Sequence, residues 1–92
     1  MSQASGHAEA WMGAVHGLDA ASALDKKTEE LAYLAVLAAL RLESGIPLHV
    51  QLAKEAGATR EEIISAILVG LPAAGQGVTQ VLPTAVATYD AG

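Results

Sequence analysis

The sequence contains no cysteine, and this absence restricts both its structure and its chemistry. Without thiols the chain forms no disulfide, holds no zinc ion or iron–sulfur cluster through cysteine, and has no thiolate nucleophile. Basic residues are also scarce, since five lysines and arginines stand against ten acidic residues and give a net charge of −5. Such a chain repels phosphate backbones and anionic lipid, so we expect no nucleic-acid partner.

No apolar run is long enough to span a bilayer. The run from Leu31 to Leu40 is uninterrupted for ten residues, whereas a spanning helix needs about 20. No lysine or arginine precedes Lys26, so neither a secretory n-region nor an arginine-rich transit peptide is expected. The sequence therefore predicts a cytoplasmic protein with no membrane partner.

Apolar side chains are abundant for a chain of this size. Of its 92 residues, 52% are apolar and 16% are charged. A single small domain has too much surface to bury this many apolar side chains. Part of that surface should therefore be covered by further copies of the same chain, and we predict a homo-oligomer.

The pattern of helix formers and helix breakers predicts an all-α chain of about five helices. A short first helix is expected over residues 8–16, ended by Gly17. Asp25 is then the expected N-cap of a second helix, Lys26 to Leu42. Because the middle of this second helix is apolar on all sides, we expect it to be buried at the centre of an assembly.

Local signals also divide the second half of the chain. Pro47 fits the first turn of a third helix that runs to Ala56, and Gly57 is the expected left-handed C-cap. Thr59 and Glu62 have the spacing of a capping box, so a fourth helix should begin there.

Proline and glycine shape the last part of the chain. Gly70 and Pro72 should end the fourth helix. A final helix is predicted over residues 78–89, with a kink or a late start caused by Pro83.

Three stretches carry a resemblance to a known family: LDKKTEELA at residues 24–32, LESGIPLH at residues 42–49, and EAGATREEI at residues 55–63. They resemble the carboxymuconolactone decarboxylase family, which includes the alkylhydroperoxidase D-like proteins, over about residues 24 to 90. The resemblance implies a small helical fold assembled as a homo-trimer or hexamer. Residues 1–24 would form an N-terminal segment with a short helix, and residues 25–90 the family domain.

The resemblance also points to two branches of chemistry. The peroxidase branch has a glutamate, eleven residues, and then Cys-x-x-Cys-x-x-x-His; Glu30 and His49 match its ends, but Leu42 and Gly45 stand at the cysteine positions. A thiol peroxidase activity is therefore not expected. The decarboxylase branch lacks the cysteine pair as well, and it matches Glu43 and His49. It implies acid/base decarboxylation or proton transfer on a small carboxylated lactone.

His49, Glu30 and Glu43 are the candidate catalytic residues. His49 would give or accept the proton, and one of the two carboxylates would fix its tautomer. Residues 30 and 42 lie about 18 Å apart along one helix, so a simple antiparallel hairpin places Glu43 closer to His49. Contact between Glu30 and His49 would need a steep helix crossing or a neighbouring subunit.

Two other hypotheses fit the same residues. The chain could be a non-catalytic oligomeric protein, binding ligands or acting as a scaffold, that has lost the peroxidase cysteines of the family. A metal site built from His49 and carboxylates across a symmetric interface is permitted by composition but not required by spacing. The favoured hypothesis uses no metal and no cofactor.

Overall fold

The computed structural model describes residues 5–92. Their helices are α1 (Ser5–Ala21), α2 (Lys26–Leu40), α3 (Ile46–Glu55), α4 (Arg60–Leu68), the one-turn α5 (Leu71–Ala74) and α6 (Leu82–Ala91), with 3-10 turns at Glu43–Gly45 and Gln76–Val81. No β-strand occurs in this range, so the all-α prediction is confirmed. None of these helices is long and apolar enough to cross a membrane.

The core lies where four helices meet. Helix α2 packs against α3 and α4, and α6 packs against both α3 and α4 from the other side. The largest side chains with less than 2% exposure come from α2, α3, α4 and the 3-10 turn before α6: Leu34, Ile46, Val50, Ile63, Ile67, Val78 and Val81. This core fixes the relative positions of α2 and α3, the two helices that carry the candidate site.

The predicted helix caps are confirmed. Asp25 accepts a hydrogen bond from the Thr28 backbone N–H at 2.8 Å and begins α2. Thr59 and Glu62 form the reciprocal capping box of α4, with both side-chain to backbone bonds present. Gly57 has a φ of +102°, the left-handed conformation expected after α3. These signals are local, because each needs only neighbouring residues to act.

Two predicted helix ends were wrong. Helix α1 continues through Gly17 to Ala21, because an interior glycine costs a helix only about 1 kcal/mol and the residues after it favour helix. Helix α2 ends at Leu40 rather than Leu42, since Arg41 takes the left-handed conformation with φ 59° and its N–H caps the helix. Residues 1–4 of the predicted N-terminal segment lie outside the described range.

Both later prolines stand in the first turn of a helix. Pro72 opens the short helix α5 instead of simply ending α4, which stops at Leu68. Pro83 lies at the start of α6, and the residues before it form a 3-10 turn. The predicted late start of the last helix is therefore confirmed. A first-turn proline is tolerated because its missing N–H has no partner within the helix.

The surface of the single chain remains rich in apolar side chains. Every residue of α1 is exposed. On α2, Tyr33, Val36 and Leu40 face outward with 48%, 52% and 62% of their surface exposed. Within one chain α2 is thus buried on one side only, so its burial on all sides stays a prediction about the assembly.

Candidate functional site

Glu30 and His49 are in direct contact within one chain. The distance from His49 Nδ1 to Glu30 Oε1 is 2.7 Å. The Glu30 side chain is 6% exposed and the His49 side chain 21% exposed. Glu30 is the one buried charged residue in the described part of the chain, and a buried carboxylate is costly unless it is paired.

The sequence-based expectation that Glu43 would lie closer to His49 was wrong, because α2 and α3 do not form a simple hairpin. After α2 the chain doubles back along it: the Leu42 N–H bonds to the Leu37 carbonyl at 2.9 Å, and a Cβ on Gly45 would lie 3.3 Å from the Leu37 side chain. Helix α3 therefore starts about one turn back from the end of α2.

This offset accounts for the contact between Glu30 and His49. Glu30 precedes Leu37 by seven residues, or about 10 Å along α2, and His49 lies three residues into α3, or about 4.5 Å. The remaining separation of about 6 Å, measured along the helix axes, is within the reach of the two side chains. Glu43 lies in the 3-10 turn and is exposed. Its side chain has no hydrogen bond or ion pair with any residue in the range 5–92.

Two further side chains surround the pair. Lys26, one helical turn before Glu30, places Nζ 3.0 Å from Glu30 Oε2. This hydrogen bond raises the pKa of the Lys26 ammonium above its usual value. The ring of Tyr33 lies against the His49 ring, with 4.3 Å between centroids and 44° between planes. Each oxygen of Glu30 thus has its own partner, and His49 is held on two sides.

The arrangement of the pair determines the tautomer of His49. An ionised carboxylate only accepts hydrogen bonds, so opposite an ionised Glu30 the Nδ1 of His49 carries the hydrogen and donates it. In the neutral ring Nε2 is then the nitrogen without hydrogen. A histidine held in this way can take up a proton at Nε2 or, once protonated, give one away.

His49 faces a cleft of about 720 Å³ between α1 and the helices α2 and α3. The lining of the cleft combines six apolar side chains with seven titratable ones: Trp11, Met12, Val15, His16, Leu18, Asp19, Lys26, Glu29, Glu30, Tyr33, Leu48, His49 and Leu52. His16 is exposed and contributes to the rim of the cleft. The volume is sufficient for a small organic molecule.

The cleft is acidic apart from Lys26. The neighbouring Asp19 carboxyl raises the pKa of Glu29. Neither arginine lies in the cleft, because Arg41 bonds to Gln80 and Arg60 to Asp90.

A second groove of about 620 Å³ lies between α2 and α4. It holds small and apolar side chains with carboxylates at its rim, and one of them, Glu62, is already bound by Lys27 at 2.9 Å. No histidine lines this groove, so the His49 cleft is the better candidate site. Within residues 5–92 no group of three or more histidine, cysteine or acidic side chains is arranged to hold a metal ion.

The sequence analysis missed Lys26 and Trp11 as site residues. Lys26 could have been found from its position four residues before Glu30, the spacing at which opposite charges pair on a helix. Trp11 had no such signal, because its place in the cleft depends on how α1 lies against α2 and α3. Tyr33, which was not predicted as a site residue either, is half exposed and contacts His49.

Comparison with known proteins agrees with the resemblance in the sequence. The family model described as the carboxymuconolactone decarboxylase family matches residues 6–87. No curated protein and no solved structure matches the chain. The family match covers most of the sequence, including α1 and both residues of the Glu30–His49 pair. The chain therefore belongs to the carboxymuconolactone decarboxylase family.

Proposed function

We propose that the protein catalyses acid/base proton transfer on a small lactone, with His49 as the group that exchanges the proton. Glu30 is the positioning residue, since it orients the ring and fixes the hydrogen on Nδ1. The observation that carries the proposal is the 2.7 Å contact between His49 Nδ1 and the buried Glu30 carboxylate. Positioned general acids and bases of this kind contribute about 10²- to 10⁴-fold to a rate.

Two reactions are open to such a site. In simple proton transfer, His49 Nε2 removes a proton from the carbon next to the lactone carbonyl, and the electron pair moves onto the carbonyl oxygen. In decarboxylation of a carboxylated lactone, carbon dioxide leaves and its bonding electrons pass into the carbonyl system. Protonated His49 then delivers a proton to the carbon. Neither route uses a thiol, in keeping with the absence of cysteine.

Hydrogen exchange in D₂O tests the proposal. Small γ-lactones, with and without a ring carboxylate, are incubated with the protein, and NMR follows deuterium incorporation at the carbon beside the carbonyl together with release of carbon dioxide. We expect His49→Gln and Glu30→Gln to lower the protein-dependent rate by at least about 100-fold. His7→Gln is the matched control, because His7 is exposed on α1 and lies outside the cleft.

The competing hypothesis, a non-catalytic scaffold, predicts a different outcome. In that case His49 is a structural residue, and His49→Gln loosens the oligomer without removing any small-molecule activity. Light scattering and thermal unfolding of the same variants measure this directly. If no lactone is exchanged or decarboxylated by the wild-type protein, and His49→Gln weakens assembly, the catalytic proposal is wrong.

A further inference from the structure

Large, exposed apolar side chains stand on both sides of the His49 cleft. Helix α1 contributes Trp11 and Leu18, which are 68% and 74% exposed, and α3 contributes Leu48 at 60% exposure. Leu52 and Tyr33 complete the wall beside His49. Contact with an apolar molecule would remove much of this apolar surface from water, which is energetically favourable.

The cleft has no unpaired ammonium or guanidinium group that could bind an anion. Its one ammonium group, Lys26, is bound to Glu30 at 3.0 Å, and the cleft contains no arginine. Asp19 and Glu29 add further negative charge. Glu30 offers no free carboxylate oxygen to a cation, because Lys26 and His49 already contact its two oxygens.

We infer that the cleft binds an uncharged, largely apolar molecule and discriminates against anions. His49 is the polar contact for one oxygen or nitrogen of that molecule. The inference rests on the proposed function in taking His49 as the reacting group. It also decides between the two reactions, since a decarboxylation substrate must carry a carboxylate, whereas simple proton transfer needs no charge on the substrate.

Two fluorescent probes with the same carbon skeleton test the discrimination. N-phenyl-1-naphthylamine is uncharged, and 8-anilino-1-naphthalenesulfonate adds one sulfonate to it. Trp11 is the single tryptophan of the chain and lines the cleft, so its emission is quenched by energy transfer to a bound probe, and the Leu48→Asp variant shows whether that probe lies in the cleft. We expect saturable quenching by the uncharged probe, with a Kd at least about tenfold lower than that of the sulfonate.

Matched variants test whether the carboxyl groups in the cleft cause the discrimination against the anionic probe. Asp19→Asn combined with Glu29→Gln should strengthen sulfonate binding severalfold and leave the uncharged probe unaffected. Glu55→Gln combined with Glu61→Gln makes the same change in net charge at exposed positions outside the cleft, and it should alter neither Kd. Leu48→Asp, at a position that is 60% exposed, should abolish binding of the uncharged probe.

Several outcomes would overturn the inference: equal or tighter binding of the sulfonate, no saturable binding of the uncharged probe, or binding that leaves Trp11 emission unchanged. The probes need no catalysis, so the wild-type protein should show the probe preference whether or not it exchanges lactones. Loss of lactone exchange with intact probe preference therefore refutes only the proposed function. Exchange of lactones without the probe preference refutes only this inference.

Discussion

Removing the Glu30 carboxylate should destabilise the protein more than removing its exposed partner Lys26. In Glu30→Ala, the His49 N–H, on a side chain that is 21% exposed, loses its acceptor, and an unsatisfied donor of this kind costs about 1–3 kcal/mol. The lost pairing with Lys26 adds about 0.5 kcal/mol, because Lys26 is 53% exposed and water replaces the bond. With the small cavity left by the side chain, the free energy of unfolding should fall by about 2–4 kcal/mol.

Two milder variants serve as comparisons for the loss of unfolding free energy in Glu30→Ala. Glu30→Gln keeps the shape and an acceptor oxygen, so we expect a loss of about 1 kcal/mol. Lys26→Met removes only the exposed ion pair and should cost about 0.5 kcal/mol. Urea unfolding at one fixed protein concentration measures all three, since the stability of an oligomer depends on concentration. An unchanged free energy of unfolding in Glu30→Ala would contradict this role of the Glu30 carboxylate. So would a loss in Lys26→Met as large as that in Glu30→Ala.

Three further predictions concern packing, pH and assembly. Ile67 is 0% exposed in the core, so Ile67→Ala should lower the free energy of unfolding by about 2–5 kcal/mol in urea titrations; a loss under 1 kcal/mol would contradict the packing. Bonds from the Thr59 N–H and Lys27 hold the pKa of Glu62 below the usual glutamate value of about 4.3. Glu62 therefore stabilises the fold above that pH and loses its effect as the pH falls through the lowered pKa, so stability should drop less on acidification in Glu62→Gln than in the wild type. The exposed Tyr33, Val36 and Leu40 should be covered by other copies, so light scattering should give at least a trimer; a stable monomer at micromolar concentration would refute this.

The elements that sequence could predict are those fixed by neighbouring residues. The Asp25 cap of α2 and the Thr59–Glu62 capping box each depend on side chains three residues apart. Gly57 takes a positive φ, which glycine adopts more readily than any other residue. Helix α1 shows the limit of this reasoning, because Gly17 is only mildly unfavourable within a helix and does not have to end it.

The candidate site was predictable in its residues but not in its geometry. Glu30 and His49 were identified from the resemblance, yet spacing along the chain favoured Glu43 as the partner of His49. The deciding feature is the return of the chain along α2, where the Leu42 N–H bonds to the Leu37 carbonyl. That turn depends on the left-handed conformation of Arg41, which is uncommon outside glycine and has no signal in the sequence.

The central claim is that Glu30 holds His49 with its hydrogen on Nδ1 and leaves Nε2 available for proton exchange. Long-range ¹H–¹⁵N correlation NMR of the histidine rings measures this tautomer directly, and the exposed His7 and His16 give reference signals in the same spectrum. At a pH where the ring is neutral, we predict that His49 shows the Nδ1–H tautomer, and that this preference is lost in Glu30→Ala. An Nε2–H tautomer, or a signal averaged like those of His7 and His16, would contradict the account.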